Sequence, residues 1–199
     1  MSRVYEEIGD EKVAERNAVN KILVLDLETT DLKPAIGDIL EIGAVLLSSD
    51  GTIEKAVDEI IKPTKPVEMW CDCWCLRNTD LTLAAVLAGQ TLDEVRDFLQ
   101  GLLQCYSVTS YNRDFDIDYL TYNGFAVRRR IACPMLIASD IMKLQGSYNN
   151  YRWPKFQAAW DYFFPDSSYK ARHGAFDDAW HVARLVHKLK ELGYYRGVL

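Results

Sequence analysis

Ile22-Leu23-Val24-Leu25-Asp26-Leu27-Glu28-Thr29-Thr30 opens with an apolar run, residues 22–27, broken by a single acid. A short continuous run of this kind fits a central strand buried on both faces. Strand side chains alternate, so Asp26 and Glu28 share a face and Leu27 points to the other, into the core. Read alone, the two acids are a polar strand end in solvent, the usual place for carboxylates. The apolar residues before them and Thr29-Thr30 after them weigh against that. Two like charges at the end of a buried strand are costly unless a cation sits between them.

Outward from this strand, residues 39–47 form a second apolar run, Ser49-Asp50-Gly51 reads as a turn, and residues 52–62 read as a third strand. Together they predict an antiparallel meander. Pro63 and Pro66 end it, and 63–90 reads as irregular. Helical spacing predicts a helix over 91–103, with Leu92, Val95, Leu99 and Leu102 on one face and Thr91 as N-cap. A strand over 106–111 follows, then helices over 114–123, ending near Gly124, and over 134–144. The next helix spans 154–163, with Pro154 in its first turn. The last spans 175–192, with Ala179, Val182, Ala183, Val186 and Leu189 inward, and ends at Gly193. Strands come first and then alternate with helices. The expected fold class is therefore α/β, with 21–199 as one domain and 1–20 as an arm or short helix.

The chain has 199 residues, 49% hydrophobic and 26% charged, a profile of a soluble globular protein with a real core. No apolar run is long enough to span a bilayer, and the N-terminus lacks the apolar core of a signal peptide. The expectation is no membrane and a cytoplasmic location. Five cysteines, three of them crowded as Cys71, Cys73 and Cys75, suit reduced thiols better than a disulfide scaffold. Zinc at that cluster is disfavoured, because structural sites need four ligands at wider spacings. The net charge of −6 argues against a wide grip on duplex backbone. It allows a small site for a strand end, since two divalent cations would neutralise four of those charges.

Two further acid groups stand out. Asp114, Asp116 and Asp118 open the helix after Asn112, and His173-Gly174-Ala175-Phe176-Asp177-Asp178 opens the last helix. Acids in a first helical turn complement the dipole, and Asn112 is an N-cap candidate by type. Nothing local says which acid is special. His181 and His187 read as ordinary helix residues. Arg128-Arg129-Arg130 reads as a solvated run or a phosphate contact.

The joint order of these groups resembles the DEDDh branch of the DnaQ-like exonuclease superfamily. The first motif is similar to Asp26-Leu27-Glu28-Thr29-Thr30, and the family's second strand to Glu41-Ile42-Gly43-Ala44-Val45. In Asn112-Arg113-Asp114-Phe115-Asp116 the family's acid follows the aromatic, which selects Asp116; the His-x(4)-Asp spacing selects His173 and Asp178 over Asp177. The resemblance covers about residues 21 to 190. Asp31 stands where the family often has Gly, Arg113 where it often has a small residue or His, and Cys133-Pro134-Met135 where it often has Asp-Thr. These departures bear on substrate preference.

The resemblance implies an RNase H-like fold, the meander joined by parallel strands and flanked by helices. It implies two Mg²⁺ or Mn²⁺ ions held by Asp26, Glu28, Asp116 and Asp178, which supply only oxygen, as these ions require. His173 is the implied general base. The implied reaction is 3′–5′ hydrolysis of single-stranded ends, DNA before RNA, to nucleoside 5′-monophosphates. Thr29, Leu32, Asn112 and Phe115 are the implied substrate contacts. Rival readings are a non-catalytic nucleic-acid-binding module, a small-RNA exoribonuclease (which typically has Met at the place of Thr29), and a polymerase-bound subunit. A homodimer or a polymerase partner stays open.

Overall fold

The computed structural model describes residues 21–146 and 150–199; the expected arm 1–20 lies outside them. The meander is present as β1 (Lys21–Thr29), β2 (Ile39–Ser48) and β3 (Ile53–Ile60), all antiparallel. Two parallel strands, β4 (Ser107–Thr109) and β5 (Arg129–Arg130), complete a five-stranded sheet in the order β3-β2-β1-β4-β5. β1 is the middle strand, which explains its apolar run: neighbours pair on both edges and helices cover both faces.

The alternation along β1 divides the core. Ile22 and Val24 pack with Val182, Val186 and Leu189 of the last helix. Leu23, Leu25 and Leu27 pack on the opposite face with Val95, Leu99 and Leu103. Asp26 and Glu28 therefore lie on the face of the last helix. A third cluster, around Leu40, Trp70, Cys75 and Val86, lies under the segment after β3.

That segment corrects the expectation of an irregular 63–90. It holds a 3₁₀ turn (Val67–Met69) and two short helices, α1 (Trp74–Asn78) and α2 (Leu83–Leu87). Each is about one turn long, too short for an apolar period to show in sequence. α3 (Leu92–Cys105) begins at Thr91 with a full capping box to Glu94. α4 (Arg113–Tyr122) follows β4, and Gly124 leaves it at φ 84°. Asn112 occupies the N-cap position of α4 but makes no side-chain cap bond. α5 (Pro134–Met142) is shorter than expected, because Lys143 caps it in a left-handed conformation. α6 (Phe156–Phe163) starts after Pro154, which lies outside the helix, before its N-cap Lys155. Arg129 and Arg130 of the arginine run form the edge strand β5, both exposed. Charge on an edge strand discourages pairing with another chain.

The last helix, α7 (Ala175–Glu191), buries Ala179, Val182, Ala183, Val186 and Leu189 as its spacing requires. Its N-terminus presses on β2. A Cβ on Gly43 would come within 2.1 Å of Ala175 backbone, and the Ala175 N–H donates to Glu41 Oε2 at 3.2 Å. Among the described residues no helix is long and apolar enough to cross a membrane.

Candidate active site

Three elements bring the sequence-selected acids together at one end of β1. Asp26 and Glu28 come from β1 itself, Asp116 from the first turn of α4, and Asp178 from the first turn of α7. Asp26, Asp116 and Asp178 line one cleft, with Asn112 and Phe115 on its wall. Glu28, His173 and Asp178 form a second group whose ligand atoms lie within 4.8 Å of one another. Asp178 belongs to both, so the five side chains form one constellation.

Asp116 is the most firmly held. Its Oδ1 accepts from the Leu27 N–H at 3.1 Å and its Oδ2 from the Ser110 hydroxyl at 2.6 Å, and it is buried. The first bond ties α4 directly to β1, between the two strand acids. Asp178 accepts from the Tyr169 hydroxyl at 3.0 Å and is also buried. The Cys75 thiol of α1 lies against Glu28. On the same helix Trp74, 55% exposed, meets the His173 ring edge-on, with ring centroids 5.2 Å apart. His173 is exposed and sits just before α7 with φ 56°. That left-handed region is costly for most side chains, though histidine is among the types enriched there.

Burial and mutual repulsion dominate the electrostatics. Burial, then the carboxylates of Asp116, Asp178, Glu28 and Glu41, hold Asp26 well above the usual carboxylate range. Burial pushes Glu28 up to about 8, helped by Asp178, Glu41 and Asp116 and opposed by the Cys75 thiol. Burial raises Asp116 to about 7 against the hydrogen bonds of Ser110 and Leu27. Asp178 is raised by burial too, with the Tyr169 bond pulling it back. Clustered acids of this kind are the environment that a divalent cation relieves. The donor set is all oxygen apart from His173, and it fits hard cations such as Mg²⁺ or Mn²⁺.

The expected substrate contacts divide. Asn112 and Phe115 stand on the cleft wall. Thr29 and Leu32 do not line it. The Thr29 hydroxyl donates to the Asp31 carbonyl at 2.9 Å, and Leu32 is 81% exposed in the loop beyond. Tyr119 donates to the same carbonyl and pins that loop. Sequence reasoning missed Ser110, Tyr169, Cys75 and Trp74 as neighbours of the site. Only Ser110 had a local signal, being a hydroxyl in the strand expected over 106–111, just before the acidic motif. Cys71, Cys73 and Cys75 do not converge on a metal: Cys71 is exposed, the other two are buried in the third core cluster, and no metal-holding group among the described residues includes them.

A mixed sheet with helices on both faces and acids at the end of its central strand is an RNase H-like fold. Residues 23–186 match the RNase T family, described as exonuclease, and the chain belongs to that exonuclease family. Its curated relatives include the PolC-type DNA polymerase III of Thermotoga petrophila, 31% identical over 49% of this chain, and that of Thermotoga maritima, 30% identical over 62%. This chain spans only 7% and 9% of the length of those proteins. Among solved structures it is similar to a 3′-exonuclease studied for recognition of a histone mRNA stem-loop, with TM-score 0.65, 16% identity, and coverage of 88% of this chain and 83% of that one. It is similar to the nuclease domain of 3′hExo, a DEDDh family member bound to rAMP, with TM-score 0.61, 18% identity, and coverage of 88% and 94%. It is also similar to E. coli Exonuclease I with a dA16 oligonucleotide, with TM-score 0.62, 12% identity, and coverage of 86% and 41%.

Proposed function

We propose that residues 21–199 form one metal-dependent 3′–5′ exonuclease domain that removes nucleotides from single-stranded ends, DNA before RNA, releasing nucleoside 5′-monophosphates. The observation that carries this reading is the meeting of Glu28, His173 and Asp178 within 4.8 Å, with Asp178 shared by the cleft of Asp26 and Asp116. The preference for DNA rests on the PolC-type relatives.

Asp26, Glu28, Asp116 and Asp178 are the residues that would hold two divalent cations. When bound, such ions activate water and offset charge on the attacking and leaving oxygens of a phosphodiester. The chain's own groups do the rest. The Leu27 N–H and Ser110 hydroxyl fix Asp116 in one orientation, which lowers the cost of ordering the site at the moment of binding. His173 takes the proton of the water that attacks phosphorus. The bond from phosphorus to the penultimate 3′-oxygen breaks, and that oxygen takes a proton from solvent water as it leaves. Phe115 and Asn112 on the cleft wall contact the terminal nucleotide, since an aromatic face accepts any base. Thr29 and Leu32 stand off the cleft, at the end of β1 and in the loop beyond it, and would meet the strand only where it passes that loop.

The test is digestion of 5′-labelled single-stranded DNA and RNA of one sequence with Mg²⁺, Mn²⁺ or EDTA, beside Asp26→Ala. The expected result is a ladder shrinking from the 3′ end that needs metal and is absent in the folded variant. Turnover retained by folded Asp26→Ala removes the site assignment. A second reading, an exonuclease working with a polymerase, is favoured by the PolC-type relatives. Co-purification of a polymerase with the tagged protein would support it.

A further inference from the structure

Tyr169 lies in the connection between α6 and α7, and its position is fixed from several sides. Its ring stacks face to face on His181, centroids 3.5 Å apart and planes 16° apart, and meets Trp160 edge-on at 5.0 Å. Its backbone is held as well: the Tyr169 N–H donates to Ser167 Oγ at 3.2 Å, and Gln157 Nε2 of α6 donates to the Tyr169 carbonyl at 3.2 Å. The hydroxyl that results points at two adjacent carboxylates, Asp178 Oδ1 at 3.0 Å and Asp177 Oδ2 at 2.9 Å.

A phenol has one proton and donates it to one acceptor at a time. The Asp177 side chain is 43% exposed, so water serves its carboxylate. The single proton of His181 Nδ1 goes to the Asp177 carbonyl oxygen at 2.8 Å. Asp178, by contrast, is buried. Asp178 has no other protein donor among the described residues. It is also the acid common to both halves of the constellation.

We propose that Tyr169 is the positioning residue for Asp178: its immobilised hydroxyl holds one carboxylate oxygen and leaves the other for a divalent cation. This rests on the exonuclease reading above. The tyrosine touches neither substrate nor reacting atoms. It acts by sparing Asp178 the rotational freedom that cation binding would otherwise have to remove, as outer hydrogen bonds to metal ligands do.

The test is calorimetric titration of Mn²⁺ alone, without substrate, into metal-free wild type, Tyr169→Phe, Asp177→Asn and Asp178→Asn. Phenylalanine keeps the stacking on His181 and Trp160 and removes only the hydroxyl. Tyr169→Phe is expected to weaken Mn²⁺ binding on the order of 10–100-fold, and to lower kcat at limiting Mn²⁺ with the oligonucleotide KM unchanged. Raising Mn²⁺ restores kcat. Asp177→Asn is expected to bind Mn²⁺ as wild type does. Tyr169→Phe binding like wild type while Asp178→Asn loses binding overturns the proposal and leaves the site reading intact. Asp177→Asn losing as much as Tyr169→Phe also overturns it, because the tyrosine would then serve Asp177. Asp178→Asn binding like wild type overturns the site reading itself. If Tyr169→Phe does not fold, Gln157→Ala, which removes the bond to the Tyr169 carbonyl and keeps the hydroxyl, is titrated in its place: weakened Mn²⁺ binding is expected, and binding equal to wild type overturns the proposal.

Discussion

His173 is the one member of the constellation outside regular structure, exposed and at φ 56°. Strained backbone at an exposed residue costs stability and persists where the surroundings over-determine it. Here the surroundings are the Trp74 edge on one side and the start of α7 on the other. Alanine at 173 removes the imidazole and leaves the carboxylates. The expected loss is about 10²–10⁴ in kcat with the oligonucleotide KM little changed, which steady-state kinetics on a labelled strand measures. A loss under about tenfold would remove His173 from the proton-transfer role. Strand alternation makes Asp26 and Glu28 legible in the sequence as a pair on one face. Asp116, Asp178 and His173 are singled out only by the family resemblance, since nothing local distinguishes them from the residues beside them. Tyr169, Cys75 and Trp74 are not legible there. Each reaches the site through the tertiary approach of a segment distant from β1, and no spacing along the chain encodes that meeting.

At the scale of elements, the height of α7 over the sheet decides where His173 and Asp178 stand. Gly43 sets that height. It pairs with Asp26 across the β1–β2 ladder, and Ala175 backbone occupies the space a side chain would need. Backbone cannot swing aside as a flexible side chain can, so Gly43→Ala must push α7 outward. The expected cost is about 1–3 kcal/mol in chemical denaturation, with loss of Mn²⁺ binding beyond what the stability change explains. Gly101 provides the contrast. It lies exposed within α3, with nothing within 4 Å of an added Cβ. Gly101→Ala should stabilise by about 0.5–1 kcal/mol through helix propensity and leave cleavage unchanged. Destabilisation at Gly101, or none at Gly43, would contradict this account of the packing. The same contrast explains which elements the sequence revealed. β1 and β2 are long continuous apolar runs, and α3 and α7 repeat their apolar period several times. α1, α2 and the two-residue β5 are too short for a period, and β5 consists of two arginines whose partner is β4 backbone.

Across the whole molecule, one sheet end gathers acids that the rest of the fold keeps partly dry, so stability, pH and metal are linked. In the metal-free protein Glu28 is pushed to about 8 and Asp116 to about 7, and Asp26, Asp178 and Glu41 move upward too. An acid whose folded-state pKa is raised binds a proton in the fold that the unfolded chain has already released. Its stabilisation is complete below the unfolded value and is lost as pH climbs to the folded one. The exposed acids Asp50 and Glu94 shift downward and act in the opposite sense. They are open to solvent, where such interactions contribute little. In EDTA, then, Tm should fall as pH rises from about 5 to about 8. The fall should be smaller in Glu28→Gln, which has no charge to bury at that position. Saturating Mn²⁺ reverses the balance, because ligands that bind the fold and not the unfolded chain raise its stability. The carboxylates that are a burden at pH 8 become the reason the cation binds, and Tm at that pH should recover by at least about 5 °C. Differential scanning calorimetry across pH, with and without Mn²⁺, reads both effects. A Tm in EDTA that rises through this window would mean that the acids are ionised and solvated in the fold, and a cluster already satisfied by water has no need of a metal.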